Sequence, residues 1–310
     1  MKRGVSGLNM LVAVDKPQGM TSHDVVNHVR RALSERRVGH AGTLDPAATG
    51  VLLVGVGQGT RLMGYLTADE KSYIATIRFG TQTTTDDAEG DVVQTKSVGP
   101  ELADEDFART LLRRMLGEQL QVPPAYSAIS VDGKRAYARA RSGENVELPP
   151  RSVTVYDASL LSVRANGDGV QWDCAFRVSK GTYVRALARD MGLMANTCAH
   201  LCQLRRTASG PVTLRDCVTL DALSDLGTNG ACHVALDPVR ALGLPVRSLS
   251  AAELKRVQSG TPIACADVAV GEGSQVCVVA DGKLWGIWKR VSGRLRPQVN
   301  FPQGISGVDA

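Results

Sequence analysis

Residues 38–61, VGHAGTLDPAATGVLLVGVGQGTR, run a turn straight into an uninterrupted apolar stretch at 51–56. An apolar run of that length, bounded by turn residues, reads as a strand buried in the interior. Gly39 and Gly42 open backbone conformations closed to other residues, and Pro46 fixes the backbone after Asp45. Asp45 is therefore a charged residue at the rim of a core, where partial desolvation perturbs a carboxyl group. Spacing alone leaves two roles open for it. Aspartate before proline commonly caps a turn. A lone carboxylate on a turn with little else able to act as acid, base or nucleophile is equally what a catalytic residue requires.

Four further segments carry readable patterns. In VDKPQGMTSHDVV (14–26), Thr21 or Ser22 is a plausible N-cap, and Val25, Val26, Val29, Ala32 and Leu33 keep a helical stripe. In KSYIATIRFGTQTTTDDAEGD (71–91), Tyr73, Ala75, Ile77 and Phe79 alternate with Ile74, Thr76 and Arg78, a strand with one buried face. In RVSKGTYVRALARDMG (177–192), alternation at Trp172, Cys174, Phe176 and Val178 stops at Gly181, and Val184, Leu187, Ala188 and Met191 return at helical spacing. Tyr183 and Arg185 then fall in the first helical turn, where the helix dipole disfavours a cation, so a negative group should compensate. The last segment is LRRTASGPV (204–212).

Together these segments resemble the TruB-type tRNA pseudouridine synthases. The GHAGTLDPAATGVLLV stretch is similar to the family signature whose aspartate is catalytic, which implies that role for Asp45. Its chemistry stays open: attack on the ribose, attack on the base, or removal of a ribose proton. The resemblance implies that Tyr73 stacks on the flipped uracil and is a candidate for removing the C5 proton. It implies that Tyr183 and Leu204 line the pocket, that Arg185 pairs with Asp45, and that His40 enters the opened RNA loop. The 123–156 segment, where Lys134, Arg135, Arg139 and Arg141 interleave with Tyr126 and Tyr137, resembles the family's RNA-contacting insertion. Cations beside aromatics suit phosphate contacts and base stacking, although a solvated face would share that composition. Lys16 and Arg205 join the expected RNA contacts, and Arg30, Arg31, Arg36, Arg37 and Arg206 lie where RNA should approach.

The implied reaction is isomerisation of uridine 55 in the T-arm of tRNA, by base flipping and without cofactor or metal. A monomer with no obligatory protein partner follows from the same resemblance. Two other readings are the catalytic subunit of a guide-RNA particle, which would carry a longer extension before the lysine-proline motif, and a non-catalytic RNA-folding factor.

A net charge of +5 permits a polyanionic partner without requiring one. The seven cysteines include no C-x-x-C pair, and Cys198, His200 and Cys202 lack a second ligand pair at zinc spacing, so reduced and mostly buried thiols are expected. No stretch approaches the roughly 18 apolar residues of a membrane span, and the amino terminus lacks a signal-peptide core, which points to the cytoplasm. The acidic stretch 85–91 breaks calcium-loop alternation and reads as a hairpin turn. The glycines at 55, 57 and 59 lack the full dinucleotide pattern.

The expected architecture is α+β. The resemblance refines it to a pseudouridine synthase fold with a mixed, largely antiparallel sheet over 1–244, carrying the insertion at about 121–152. A break at 242–245 precedes a small β-rich, PUA-like RNA-binding module over 245–310, with a helix ending near Gly260 and a hairpin turning at Asp281-Gly282. Phe107, Leu111, Met115 and Leu116 mark one amphipathic helix closed by Gly117.

Overall fold

The computed structural model describes residues 6–67, 70–127, 130–131, 134–135, 139, 144, 148–166, 169–265 and 269–308. The chain forms two compact units: Met1–Ala68 with Ala208–Ala310, and Asp69–Thr207. Among the described residues no helix is long and apolar enough to cross a membrane.

The first unit opens with β1 (Met10–Lys16), α1 (Ser22–Ala32), β2 (Val38–Ala41), β3 (Thr49–Val56) and the short α2 (Met63–Leu66). Thr21 is the N-cap of α1: its hydroxyl accepts from Asp24 N, and the Asp24 side chain returns to the Thr21 backbone, a capping box. Strand β3 pairs antiparallel with β1, from Met10 opposite Val56 to Lys16 opposite Gly50, and with β2.

The second unit holds β4 (Lys71–Phe79), β5 (Thr81–Thr83), β6 (Val92–Thr95), α3 (Glu105–Arg114), β7 (Gly117–Gln121), β8 (Ser130–Val131), β9 (Lys134–Arg135), β10 (Arg151–Asn166), β11 (Gly169–Val178), α4 (Val184–Met194) and β12 (Ala199–Ser209). Its sheet runs in the order β12-β4-β11-β10-β7, and the β4–β11, β11–β10 and β10–β7 pairs are antiparallel. The alternating residues of β4 and β11 share one buried face, with Phe176 opposite Tyr73 and Trp172 opposite Ile77. Trp172 packs on Phe79 with ring centroids 4.4 Å apart and donates Nε1–H to the Leu102 carbonyl. The opposite face buries Thr76, whose hydroxyl donates to Asp173 at 2.6 Å. Helix α3 stops at Arg114, before the expected glycine. Leu116 is exposed, and Gly117, at φ 98°, opens β7 instead of closing the helix.

The chain returns to the first unit through β13 (Val212–Thr213), β14 (Cys217–Val218), α5 (Leu220–Gly230) and α6 (Pro238–Leu242). Strand β14 lies parallel to β1, which makes this sheet mixed. Then come β15 (Val246–Ser248), α7 (Ala251–Gln258), β16 (Ile263–Ala264), β17 (Gln275–Ala280), β18 (Lys283–Val291) and β19 (Arg294–Ser306), a five-stranded sheet in the order β15-β17-β18-β19-β16. Asp281 and Gly282 both have positive φ, 51° and 65°, as a two-residue Asp-Gly hairpin demands.

Met10–Val14 of β1 and the stretch of β3 from Gly50 to Val56 are apolar because both faces are covered. Val12, Val14, Leu52 and Val54 pack with Val25, Val26 and Val29 of α1 and Leu223 of α5. Leu11, Ala13, Val51 and Leu53 pack with Ile287, Val299, Phe301 and Ile305 of the carboxy-terminal sheet. The helix stop at Gly243 (φ 62°) does interrupt the chain near the expected break, yet the β-rich tail shares a core with the amino-terminal strands.

The glycines at 55–59 serve that packing. A Cβ on Gly59 would sit 2.2 Å from the Met10 carbonyl oxygen, and one on Gly55 2.6 Å from the Gly59 oxygen. Because the obstacle is backbone, Gly59→Ala is expected to cost about 2–3 kcal/mol, the upper range for overpacking, read as a lower denaturant midpoint at constant slope.

Candidate active site

In the first unit, Asp45 sits half-buried on the loop between β2 and β3. Its neighbours on both sides are fixed. The buried Ser22 hydroxyl accepts from Leu44 N at 2.9 Å and donates to Leu44 O at 3.1 Å. The Pro46 carbonyl accepts from Gly19 N at 2.9 Å and from the Lys16 ammonium at 3.1 Å. The turn closes through Ala48 N to Asp45 O at 3.1 Å. Every one of these bonds reaches the backbone of the loop.

Lys16 requires a correction. Expected to touch RNA, it is 0 % exposed, and its ammonium donates to the carbonyls of Met20 (2.6 Å), Pro17 (2.8 Å) and Pro46. Three carbonyl acceptors replace its lost hydration and set a positive charge beneath the aspartate turn. Lys16→Met is expected to cost about 2–4 kcal/mol, because three carbonyls lose one charged donor, and to lower the melting temperature measurably. Arg206 likewise leaves the proposed RNA approach: it is 1 % exposed. Arg31, Arg36 and Arg37 are exposed, whereas Arg30 is half-buried and donates to Asn27 and the Val38 carbonyl. His40 is half-buried on β2, opposite Val54.

In the second unit, Tyr73 is buried on β4, and Leu204 and Arg205 are half-buried on β12. Tyr183 is the N-cap of α4, with extended backbone rather than helical. The buried Gln121 amide holds it from both sides, accepting from Tyr183 N at 2.8 Å and donating to Tyr183 O at 3.2 Å. Arg185, 5 % exposed, is the second residue of the helix. It donates Nη1–H to the Thr85 carbonyl and Nη2–H to the Tyr126 carbonyl, each at 3.0 Å, and Nη1 lies 3.4 Å from Asp87 Oδ2. Within this unit one carboxylate and two carbonyls face the cation at this helix end.

Asp87 and Gln121 are therefore functional candidates that sequence reading missed. The acidic stretch does turn a hairpin between β5 and β6, but its first aspartates face inward, Asp86 at 7 % and Asp87 at 9 % exposure. Thr85 Oγ1 donates to Asp87 Oδ1 at 2.5 Å. Asp86 pairs with Arg189 of α4 at 3.0 Å. Burial pushes the Asp86 carboxyl above its ordinary value, and Arg189 pulls it back. The signal available was the spacing of Arg185 and Arg189, four apart on one helix face and both needing anions.

Of the expected RNA contacts, Arg139 pairs with Glu144 at 2.7 Å. Lys134 and Arg135 form β9, whereas Arg141 and Tyr137 lie outside the described residues. All seven cysteines are free thiols; three are buried and Cys232 is exposed. Burial pushes Cys174 and Cys277 up to about 12. His200 meets the Thr81 carbonyl through Nδ1 at 2.9 Å and Cys202 Sγ through Nε2 at 3.6 Å. Among the described residues no cluster of three His, Cys, Asp or Glu is arranged to hold a metal ion.

This architecture is that of the pseudouridine synthases. A chain of a Cbf5-Nop10-Gar1 complex superposes with a TM-score of 0.71 at 24 % identity, over 96 % of this chain and 86 % of that one. A chain of an H/ACA RNP bound to a substrate RNA containing 2′-deoxyuridine gives 0.69 at 22 %, over 95 % and 85 %. The profile of the TruB family pseudouridylate synthase N-terminal domain matches residues 30–184, and that of the tRNA pseudouridylate synthase B C-terminal domain matches 185–249. The chain is 48 % identical to tRNA pseudouridine synthase B of Corynebacterium efficiens over 81 % of its own length and 82 % of that protein. It is 46 % identical to the Thermobifida fusca protein of the same name, over 94 % and 98 %. The chain belongs to the TruB family of pseudouridylate synthases and is an isomerase.

Proposed function

We propose that this protein converts uridine 55 in the T-arm of tRNA to pseudouridine, with Asp45 as the catalytic carboxylate. The observation that carries the reading is the Asp45 loop, anchored on both sides through Leu44 and Pro46 so that a half-buried carboxylate is presented on a fixed turn. The relatives named tRNA pseudouridine synthase B support tRNA as the substrate.

The reaction breaks the N1–C1′ bond, turns uracil within the pocket and forms C5–C1′. N1 gains a proton and C5 loses one, so nothing is oxidised, reduced or transferred away. A base inside a folded loop must first be flipped out, at a cost of a few kcal/mol. Asp45 acts on the ribose or the base as nucleophile, or takes a ribose proton. Tyr73 stacks on the uracil and is the candidate for receiving the C5 proton; Tyr183 and Leu204 line the pocket; His40 enters the opened loop. Arg185 is assigned to keep Asp45 ionised. Lys134, Arg135, Arg139, Arg141 and Arg205 serve the phosphates. The five-stranded tail over 246–306 is read as a PUA-like RNA-binding module, and the enzyme as a cytoplasmic monomer without an obligatory partner.

The test is to incubate purified protein with unmodified tRNA transcript, without guide RNA or other protein, and map pseudouridine. Product at position 55, lost when that uridine is replaced by cytidine, is expected. Product only when a guide is added would favour the guided-particle reading, and binding without any product would favour an RNA-folding factor.

A further inference from the structure

Arg185 and Arg189 stand one helical turn apart on α4, and each cross-links the same two segments. Arg185 takes the Thr85 carbonyl and Asp87 carboxylate from the β5–β6 turn and the Tyr126 carbonyl from the segment after β7. Arg189 takes the Asp86 carboxylate from that turn, Nη1 to Oδ2 at 3.0 Å, and the Val122 carbonyl from that segment, Nη2 to O at 2.8 Å. Its Nε–H is spent on Asp190 Oδ1 at 3.1 Å, which fixes the plane of the guanidinium. The turn is shaped for this grip. Asp86 has φ 59°, in the left-handed region that aspartate tolerates better than most residues, and its carbonyl accepts from Leu201 N at 3.0 Å. Thr83 Oγ1 donates to the Asp87 carbonyl at 2.5 Å.

The Arg185 guanidinium has little freedom of its own: its position is set by groups on segments that Arg189 holds. We propose that Arg189, acting with Asp86, is a positioning residue for the isomerisation, clamping the two segments whose carbonyls and carboxylate aim Arg185. The inference rests on the function proposed above for Arg185. It assigns Arg189 no contact with substrate.

The experiment is single-turnover conversion of tRNA with enzyme in excess and at saturation, where the rate constant reports chemistry and the amplitude reports the folded, active fraction. Arg189→Gln and Asp86→Asn, the latter compatible with positive φ, are each expected to lower the rate constant on the order of tenfold while the tRNA Kd stays within about twofold. The double variant should be no slower than the worse single, as for residues acting as one unit, and Arg189→Lys should recover part of the loss. Rate constants within about twofold of the parent for both single variants, with only amplitude or melting temperature reduced, would make the pair merely structural and overturn the inference. If the parent forms pseudouridine and Arg185→Lys is strongly impaired, that outcome leaves the functional reading standing; a parent that forms none overturns both.

Discussion

Replacing Asp45 with asparagine is expected to abolish conversion while leaving tRNA binding intact. The amide keeps the shape of the side chain and removes its charge and basicity. Ser22, Gly19, Lys16 and Ala48 each hold the loop through bonds to its backbone, and the substitution leaves those bonds in place. Melting temperature and Kd should therefore stay near parental values while the single-turnover rate falls by about four orders of magnitude or more, the scale seen when a catalytic nucleophile or base is removed. The combination matters more than the loss alone. A variant that lost activity and binding together would have lost structure, and one that still formed pseudouridine at a substantial rate would remove Asp45 from the chemistry.

Local rules were readable where the structure is local. Alternation placed Tyr73 and Phe176 on the buried face of β4 and β11, Thr21, one of two candidate N-caps, began α1, and Asp281-Gly282 made its hairpin. These features depend on residues within a few positions of one another. The continuous apolar run of β3 announced burial but could not say what covers each face, because a run without period carries no direction. One cover, the carboxy-terminal sheet, lies more than 200 positions along the chain. The candidate site was legible as motifs and illegible as chemistry for the same reason. Lys16 looks like any surface cation in sequence; its burial is made possible by three carbonyls, which every residue possesses. Asp86 and Asp87 have the composition of a solvated turn, and the arginines that draw them inward lie about a hundred residues further on.

Arg185→Lys should lower kcat by about a hundredfold, although the substitution preserves charge. The guanidinium uses two nitrogens in different directions: Nη1 serves the Thr85 carbonyl and faces Asp87, while Nη2 serves the Tyr126 carbonyl. A lysine ammonium offers three donors from one atom on a shorter, rotatable stem and cannot hold that fork. Whichever segment it follows, the other is left with a partly buried carbonyl lacking this donor, a loss of about 1–3 kcal/mol that should also appear as a lower melting temperature. Rates measured against tRNA concentration distinguish the two effects. Lost positioning lowers kcat with KM nearly unchanged, whereas a collapsed segment around Tyr126 raises KM as well. Near-normal kcat in a folded Arg185→Lys protein would show that charge alone suffices at this position. The inference drawn for Arg189 would then fall with it, since a clamp has no purpose if the group it aims can be replaced by a point charge.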